Sequence, residues 1–213
     1  MGKIRSAFAA KKPAAPFVPL TLAEQEEFLI DLRGTILDNL KVTSLVFGAL
    51  VDFGRANLPS PAATVVLHSQ GKEARIEGQN CGLFVIPVAT MAALDCRRSL
   101  EFFGLKCDDT SLYPFKHDRR DDDIGIEHFG LPRVTREQLL RGCAPNAEAV
   151  LVKFCRWADK RVAHFTKAMT TPRNPNIPSV REIRDAADVM IEAYIHLLYK
   201  ATGRPPPMLN PSD

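Results

Sequence analysis

Residues Asn146–Met169, NAEAVLVKFCRWADKRVAHFTKAM, decide the fold. Leu151, Phe154, Ala158, Val162, Phe165 and Met169 recur at steps of three and four, which gathers them into one apolar stripe of a long amphipathic helix. Lys153, Trp157, Lys160, Arg161, His164 and Lys167 fall on another face, so the only tryptophan of the chain stands among cations. An element of this length, apolar on one side and basic on another, belongs in a helical bundle rather than a sheet.

Three further helix starts carry a shared local signature. Thr21-Leu22-Ala23-Glu24, Thr135-Arg136-Glu137-Gln138 and Ser179-Val180-Arg181-Glu182 are capping boxes, in which a hydroxyl and a carboxylate or amide satisfy the orphan amides of a first turn. The first predicts a helix to about residue 57, with Leu29, Leu32, Ile36, Leu40, Phe47, Leu50 and Phe53 inward; Gly34, Gly48 and Gly54 within it mark a bend or a close helix contact. The last predicts a helix whose stripe is Ile183, Ala187, Met190, Tyr194 and Leu198, stopped by Gly203 and Pro205–Pro207. Cys81–Phe103 is a fourth apolar segment, kinked or started at Pro87, with Met91, Leu94 and Phe102 as core, Asp95, Arg97, Arg98 and Glu101 as polar positions, and Gly104 as its C-terminal cap. Residues 60–79 read as an irregular excursion with a strand-like piece at Thr64–Leu67. The expectation is therefore an all-α bundle of four long helices, with a long polar loop between the second and third.

Pro13, Pro16 and Pro19 make residues 1–19 a disordered basic arm, the single domain runs from 20 to 204, and residues 205–213 form a loose tail. Length and an ordinary 25% of charged residues suit one domain. The arm holds Lys3, Arg5, Lys11 and Lys12; the remainder has 24 basic and 25 acidic side chains, so only local patches argue for nucleic acid. Five scattered cysteines without a CxxC pair point to reduced thiols, a cytoplasmic protein and no zinc site. No apolar run of about 18 residues appears, which predicts no membrane span. The polar stretch 105–134 offers Asp108, Asp109, Asp118, Asp121, Asp122, Asp123, Glu127, His117 and His128, oxygen and imidazole groups of the kind that hold a divalent ion; Lys116, Arg119 and Arg120 can instead neutralise the acids as ion pairs, and the expectation is no metal or other cofactor. GxSxG, P-loop and GxGxxG patterns are absent.

The candidate site is the basic face of the central helix. Lys160, Lys153 and Trp157 are the phosphate-binding and stacking candidates, with Arg161 able to fork onto a phosphate and His164 able to exchange a proton near neutral pH. A solvated face with Trp157 covering its edge is the plainer account of the same residues. His196, beside the last helix's stripe, reads as a packed or edge residue.

Ala158-Asp159-Lys160-Arg161-Val162-Ala163-His164 resembles the motif helix of the HEPN superfamily, closely over that helix and loosely over the bundle. In the family an Arg and a His separated by four to six residues form the catalytic pair; here two residues separate Arg161 from His164, and Ala158 stands six before His164. The resemblance implies a metal-independent endoribonuclease of toxin–antitoxin or phage-defence type, with His164 and Arg161 catalytic, RNA or nucleotide phosphate as partner, and a homodimer through the central helix. Catalytically silent members act as interaction modules, which gives the alternative: a non-enzymatic helical protein-interaction module.

Overall fold

The computed structural model describes residues 18–52, 54, 63–69, 72–78, 82–115, 123–158 and 177–207. They are mainly helical. Chain order gives α1 (Leu22–Leu32), a π-helical segment Arg33–Leu37, α2 (Asp38–Asp52), the strands β1 (Ala63–Ser69) and β2 (Lys72–Gly78), and α3 (Gly82–Phe103). After these come β3 (Leu105–Cys107), β4 (Leu112–Pro114), a 3-10 turn Ile126–Phe129, α4 (Arg136–Leu139), α5 (Ala147–Trp157), α6 (Val180–Ala193) and a π-helical segment Tyr194–Tyr199.

All three capping boxes form. The Thr21, Thr135 and Ser179 hydroxyls accept from the amides of Glu24, Gln138 and Glu182, and the side chains three residues on accept from the cap amides in return. These contacts are local, so four residues suffice to specify each. The Glu24 carboxyl is held below its usual range by the Thr21 amide and hydroxyl that it accepts from.

The first helix runs from Leu22 to Asp52 without a break but changes its winding at Arg33–Leu37. Gly34, where a bend is expected, sits in this π-helical stretch. The wider turn rotates the next residues about the helix axis: Leu37 is buried and Ile36 only partly, the reverse of the straight-helix expectation. Leu29, Leu32, Leu40 and Phe47 are buried as predicted, whereas Leu50 only packs against the core and Phe53 lies outside the described residues. Among the described residues this helix is long and apolar enough to cross a membrane by length and composition, where the sequence reading expects no span, and 22% of its apolar window is buried.

α2 packs along α6, α3 against α2 and α6, and α5 against α6 and α3. The α6 stripe is as expected: Ile183, Ala187, Met190, Tyr194 and Leu198 are all buried. At Gly48, where a close helix contact is expected, an added Cβ would meet only Arg184 Cδ at 3.8 Å, an ordinary contact, so the packing of α2 on α6 does not require glycine there.

α3 departs from its predicted facing. Met91 is 43% exposed and Leu94 half-buried, while Val85, Ala89, Ala92, Ala93, Cys96, Leu100 and Phe103 fill the core alongside Phe102. Small alanines and Cys96 face inward because neighbouring helices come close. Asp95, expected on the polar side, is 1% exposed. Its Oδ2 accepts from Asn39 Nδ2 at 3.0 Å, and Arg98 Nη1 lies 3.5 Å from Oδ1. Burial nevertheless raises the Asp95 carboxyl above its ordinary range, the Asn39 and Arg98 contacts opposing it. One turn on, Tyr194 donates to Ser99 Oγ at 3.0 Å, and Ser99 donates to the Asp95 carbonyl at 2.6 Å. α2, α3 and α6 are thus tied by polar contacts inside an apolar core.

The residues 60–79 excursion contains an antiparallel hairpin, with Ala63 opposite Gly78 and Ser69 opposite Lys72. The predicted polar loop is also more ordered than expected. β3 and β4 pair antiparallel, Leu105 opposite Pro114, and Leu105, Leu112, Ile126, Phe129 and Val134 are buried. Phe129 lies edge-on to Phe28 and Phe102. Five apolar side chains spaced through polar sequence anchor the connection to the helices. The helical character is as predicted, and the described residues add two small hairpins that the all-α expectation lacked.

Candidate functional site

The central helix is described from Ala147 to Trp157, and Ala158 after it keeps helical dihedrals, its amide donating to the Phe154 carbonyl. Asn146 makes no side-chain cap bond. Leu151, Phe154 and Ala158 are buried, as the stripe requires, and Val150, Val152 and Cys155 join them. His164, Arg161 and Lys160, the catalytic pair and a phosphate ligand of the sequence reading, lie outside the described residues, as do Val162, Phe165, Lys167 and Met169. Residues 1–17 and residues 116–122 of the acidic run also lie outside them.

Lys153 and Trp157 are described, and both are engaged within the fold. Lys153 Nζ donates to Glu182 Oε1 at 2.9 Å and Oε2 at 2.8 Å. Glu182 is the capping-box residue of α6, so one carboxylate serves the helix start and the α5 cation together. Burial pushes the Glu182 carboxyl up, but Lys153 and the Ser179 amide and hydroxyl outweigh that and leave it below its usual range. Trp157 stacks on Phe154, centroids 5.9 Å apart and planes at 5°. Its Nε1 is buried without a hydrogen-bond acceptor among the described residues. Arg156 Nη1 donates to the Asp109 carbonyl at 3.2 Å; its Nε lies 3.1 Å from Asp109 Oδ1, an ion pair by distance but not aligned as a hydrogen bond.

In the polar stretch, Asp108 Oδ1 accepts from the amides of Thr110 and Ser111 at 2.7 and 2.9 Å. Those donors hold its carboxyl below the usual range. Glu148 is shared between Arg136 Nη2 and the Leu112 amide. Among the described residues no three His, Cys, Asp or Glu side chains are grouped to hold a metal ion.

A concave site lies elsewhere, at the other end of α5. A groove of about 400 Å³ opens between the 141–147 approach to α5 and the outer face of α6. This is within the usual range of ligand pockets, roughly 300–1,000 Å³. Gly142, at φ +80°, turns the chain so that Cys143 N donates back to Leu140 O at 3.1 Å and the loop stands off α6. Cys143, Ala144, Ala147, Val150 and Val189 supply an apolar floor. Asp185, Asp188 and Glu192 line the α6 wall, with His196 beyond them, and Arg141 stands on the loop wall. Arg184 bridges the first two carboxylates, at 2.8 Å from Asp185 Oδ1 and 3.7 Å from Asp188 Oδ2. Asp188 Oδ1 also accepts from Ser44 at 2.5 Å, and His196 Nε2 is 3.1 Å from Glu192 Oε2. The Cys143 thiol is pushed above its ordinary value by burial and by Glu192, so it is a packing group rather than a nucleophile.

No protein-family model, no curated protein and no solved structure matches the chain. The site therefore has to be read from its own chemistry. The groove can bury an apolar side chain and offer carboxylates to one flank of whatever carries it; it presents no activated nucleophile beside a base. Sequence reasoning missed it. The acidic spacing on α6 was legible at i, i+3 and i+7, but the opposing wall comes from a loop about 40 residues away that only the tertiary fold brings near.

Proposed function

We propose that the protein is a non-enzymatic helical interaction module that takes a partner segment in the groove between residues 141–147 and α6. The observation that carries this reading is the groove itself: an apolar floor flanked by polar walls, at the surface. The engagement of Lys153 by Glu182 and of Trp157 by Phe154 supports it too, since neither is left as an open phosphate or base platform.

The test is selection of a random displayed peptide library on the full-length protein, with each enriched sequence resynthesised. Ala144, exposed, and Val189, half-buried, contribute to the apolar floor from the loop and from α6, so Ala144→Trp and Val189→Trp each fill the groove from a different side. Enriched peptides are expected to bind the wild type and to lose at least about tenfold on both filled variants, the loss of one well-placed anchor being worth more than about 1 kcal/mol. Peptides that bind the filled variants equally well, or no enrichment, overturn the groove as a binding site.

A second reading rests on the HEPN resemblance: a metal-independent endoribonuclease using His164 and Arg161. It is supported by the helical register of α5, in which Lys153 and Trp157 fall one turn apart. This reading expects RNA cleavage by the wild type that EDTA leaves unchanged and that His164→Ala abolishes while circular dichroism stays constant. Intact RNA in the wild-type lane sinks it.

A further inference from the structure

The walls of the groove differ in charge, and that difference selects among partner segments. Asp185, Asp188 and Glu192 stand along one face of α6, spaced three, then four residues. With a rise of about 1.5 Å per residue, their carboxylates recur at about 4.5 and 6 Å along the helix axis. Val189 lies within this row, and Val150 and Ala147 face it from α5. Arg184 bridges Asp185 and Asp188 from the side away from the groove lining, and Arg141 is on the opposite wall. Among the groups that line the groove itself, three carboxylates stand against one guanidinium, that of Arg141; Arg184, and Lys200 whose Nζ lies 3.3 Å from His196 Nδ1, are outside the lining. His196 next to Glu192 adds a positive charge only when protonated.

Resting on the interaction-module reading, we infer that the occupant is a basic amphipathic helical segment of a partner protein. It carries Lys or Arg two turns apart along the edge facing α6, with an apolar side chain between them that enters the floor at Val150 and Val189. The heptad spacing of Asp185 and Glu192 is the spacing at which one helix presents equivalent positions to another. A segment with carboxylates on that edge would bring like charges together over an apolar contact, an arrangement that is repelled rather than merely unrewarded. The apolar anchor supplies affinity, and the acidic wall supplies the choice of partner and its orientation. The opposite lip, with Arg141, disfavours a second row of cations, so the partner is basic along one edge only.

Three short helical peptides test this. They share one apolar strip and differ only at the two edge positions, which are Lys, Gln or Glu; binding to the full-length protein is read by isothermal titration and by methyl chemical shifts of Val150 and Val189. The Lys peptide is expected to bind about tenfold or more tighter than the Glu peptide at about 50 mM salt, with the Gln peptide between them. The gap should shrink at about 500 mM, where exposed charges are screened over a few ångströms. Asp185→Asn combined with Glu192→Gln should bring the Lys and Glu peptides to within about twofold of one another, and circular dichroism verifies that this variant is folded. Equal affinities for the three, or tightest binding by the Glu peptide, overturn the basic-partner inference and leave the groove standing as an interaction site. Absence of binding by all three, with no shift at either valine, overturns the inference and the groove reading together.

Discussion

Phe154→Ala should lower the unfolding free energy by about 3–5 kcal/mol, the usual cost of deleting a wholly buried aromatic side chain. Phe154 has no accessible surface, and it belongs to the core in which α5 meets α3 and α6. Truncation removes the ring's transfer free energy and leaves a cavity between helices that are also fixed by other contacts, so collapse is incomplete. It also takes away the ring on which Trp157 is stacked. Because Trp157 is the only tryptophan, its fluorescence reports on this position directly. Denaturant unfolding monitored by tryptophan emission and by circular dichroism should show coincident transitions at a lower midpoint, with a red-shifted native emission. A loss under about 1 kcal/mol would mean that the stripe of α5 does not face the core.

Gly104→Ala should cost about 2–4 kcal/mol although it adds only one methyl group. Gly104 comes directly after α3 at φ +88°, in the left-handed region where a side chain costs roughly 1–2 kcal/mol. The added Cβ would also lie 2.9 Å from both Cβ and Cγ of Arg133, and relieving such overpacking typically costs about 1–3 kcal/mol. Arg133 cannot simply swing aside, since its Nε donates to Glu127 Oε1 at 3.0 Å and its Nη1 to the Phe115 carbonyl at 3.3 Å. The Gly104 carbonyl accepts from Phe115 N at 2.8 Å, and the Phe103 carbonyl from Val134 N at 2.9 Å. A shift here therefore disturbs the end of α3, the β3–β4 hairpin and the approach to α4 together. Thermal and denaturant melts measure the loss, and a change within about 0.5 kcal/mol would show that the turn adapts freely.

The features legible in the sequence were those that depend on near neighbours. Capping boxes at Thr21, Thr135 and Ser179 involve residues three apart, and each forms. The stripe from Ile183 to Leu198 is buried as read, Ile183, Ala187 and Met190 on α6 and Tyr194 and Leu198 on the π-helical segment that continues it. Errors arose where distant chain decides. Met91 looks like core by type, yet the close approach of neighbouring helices puts Ala89, Ala92 and Ala93 inside and leaves Met91 on the surface. Asp95 looks solvent-facing until Asn39, 56 residues earlier, supplies its partner. Ile36 and Leu37 exchanged places because the winding changes at Arg33–Leu37, a change that polar and apolar periodicity alone does not register. The basic face of the central helix was visible as a pattern, but the pattern did not include Glu182, 29 residues on from Lys153. The groove was not visible, because its two walls meet only after folding.

The Lys153–Glu182 contact has a mechanical consequence for the chain that joins its two ends. α5 and the first turn of α6 are clasped by an ion pair and packed against one another, while α6 is held independently along α2. The covalent link through residues 159–176 is thus not what keeps α6 in place. A single cut introduced by a site-specific protease between residues 159 and 176 should yield two fragments that stay together through gel filtration. The two halves of the chain are held to one another by contacts between the helices themselves, independently of the peptide that joins them.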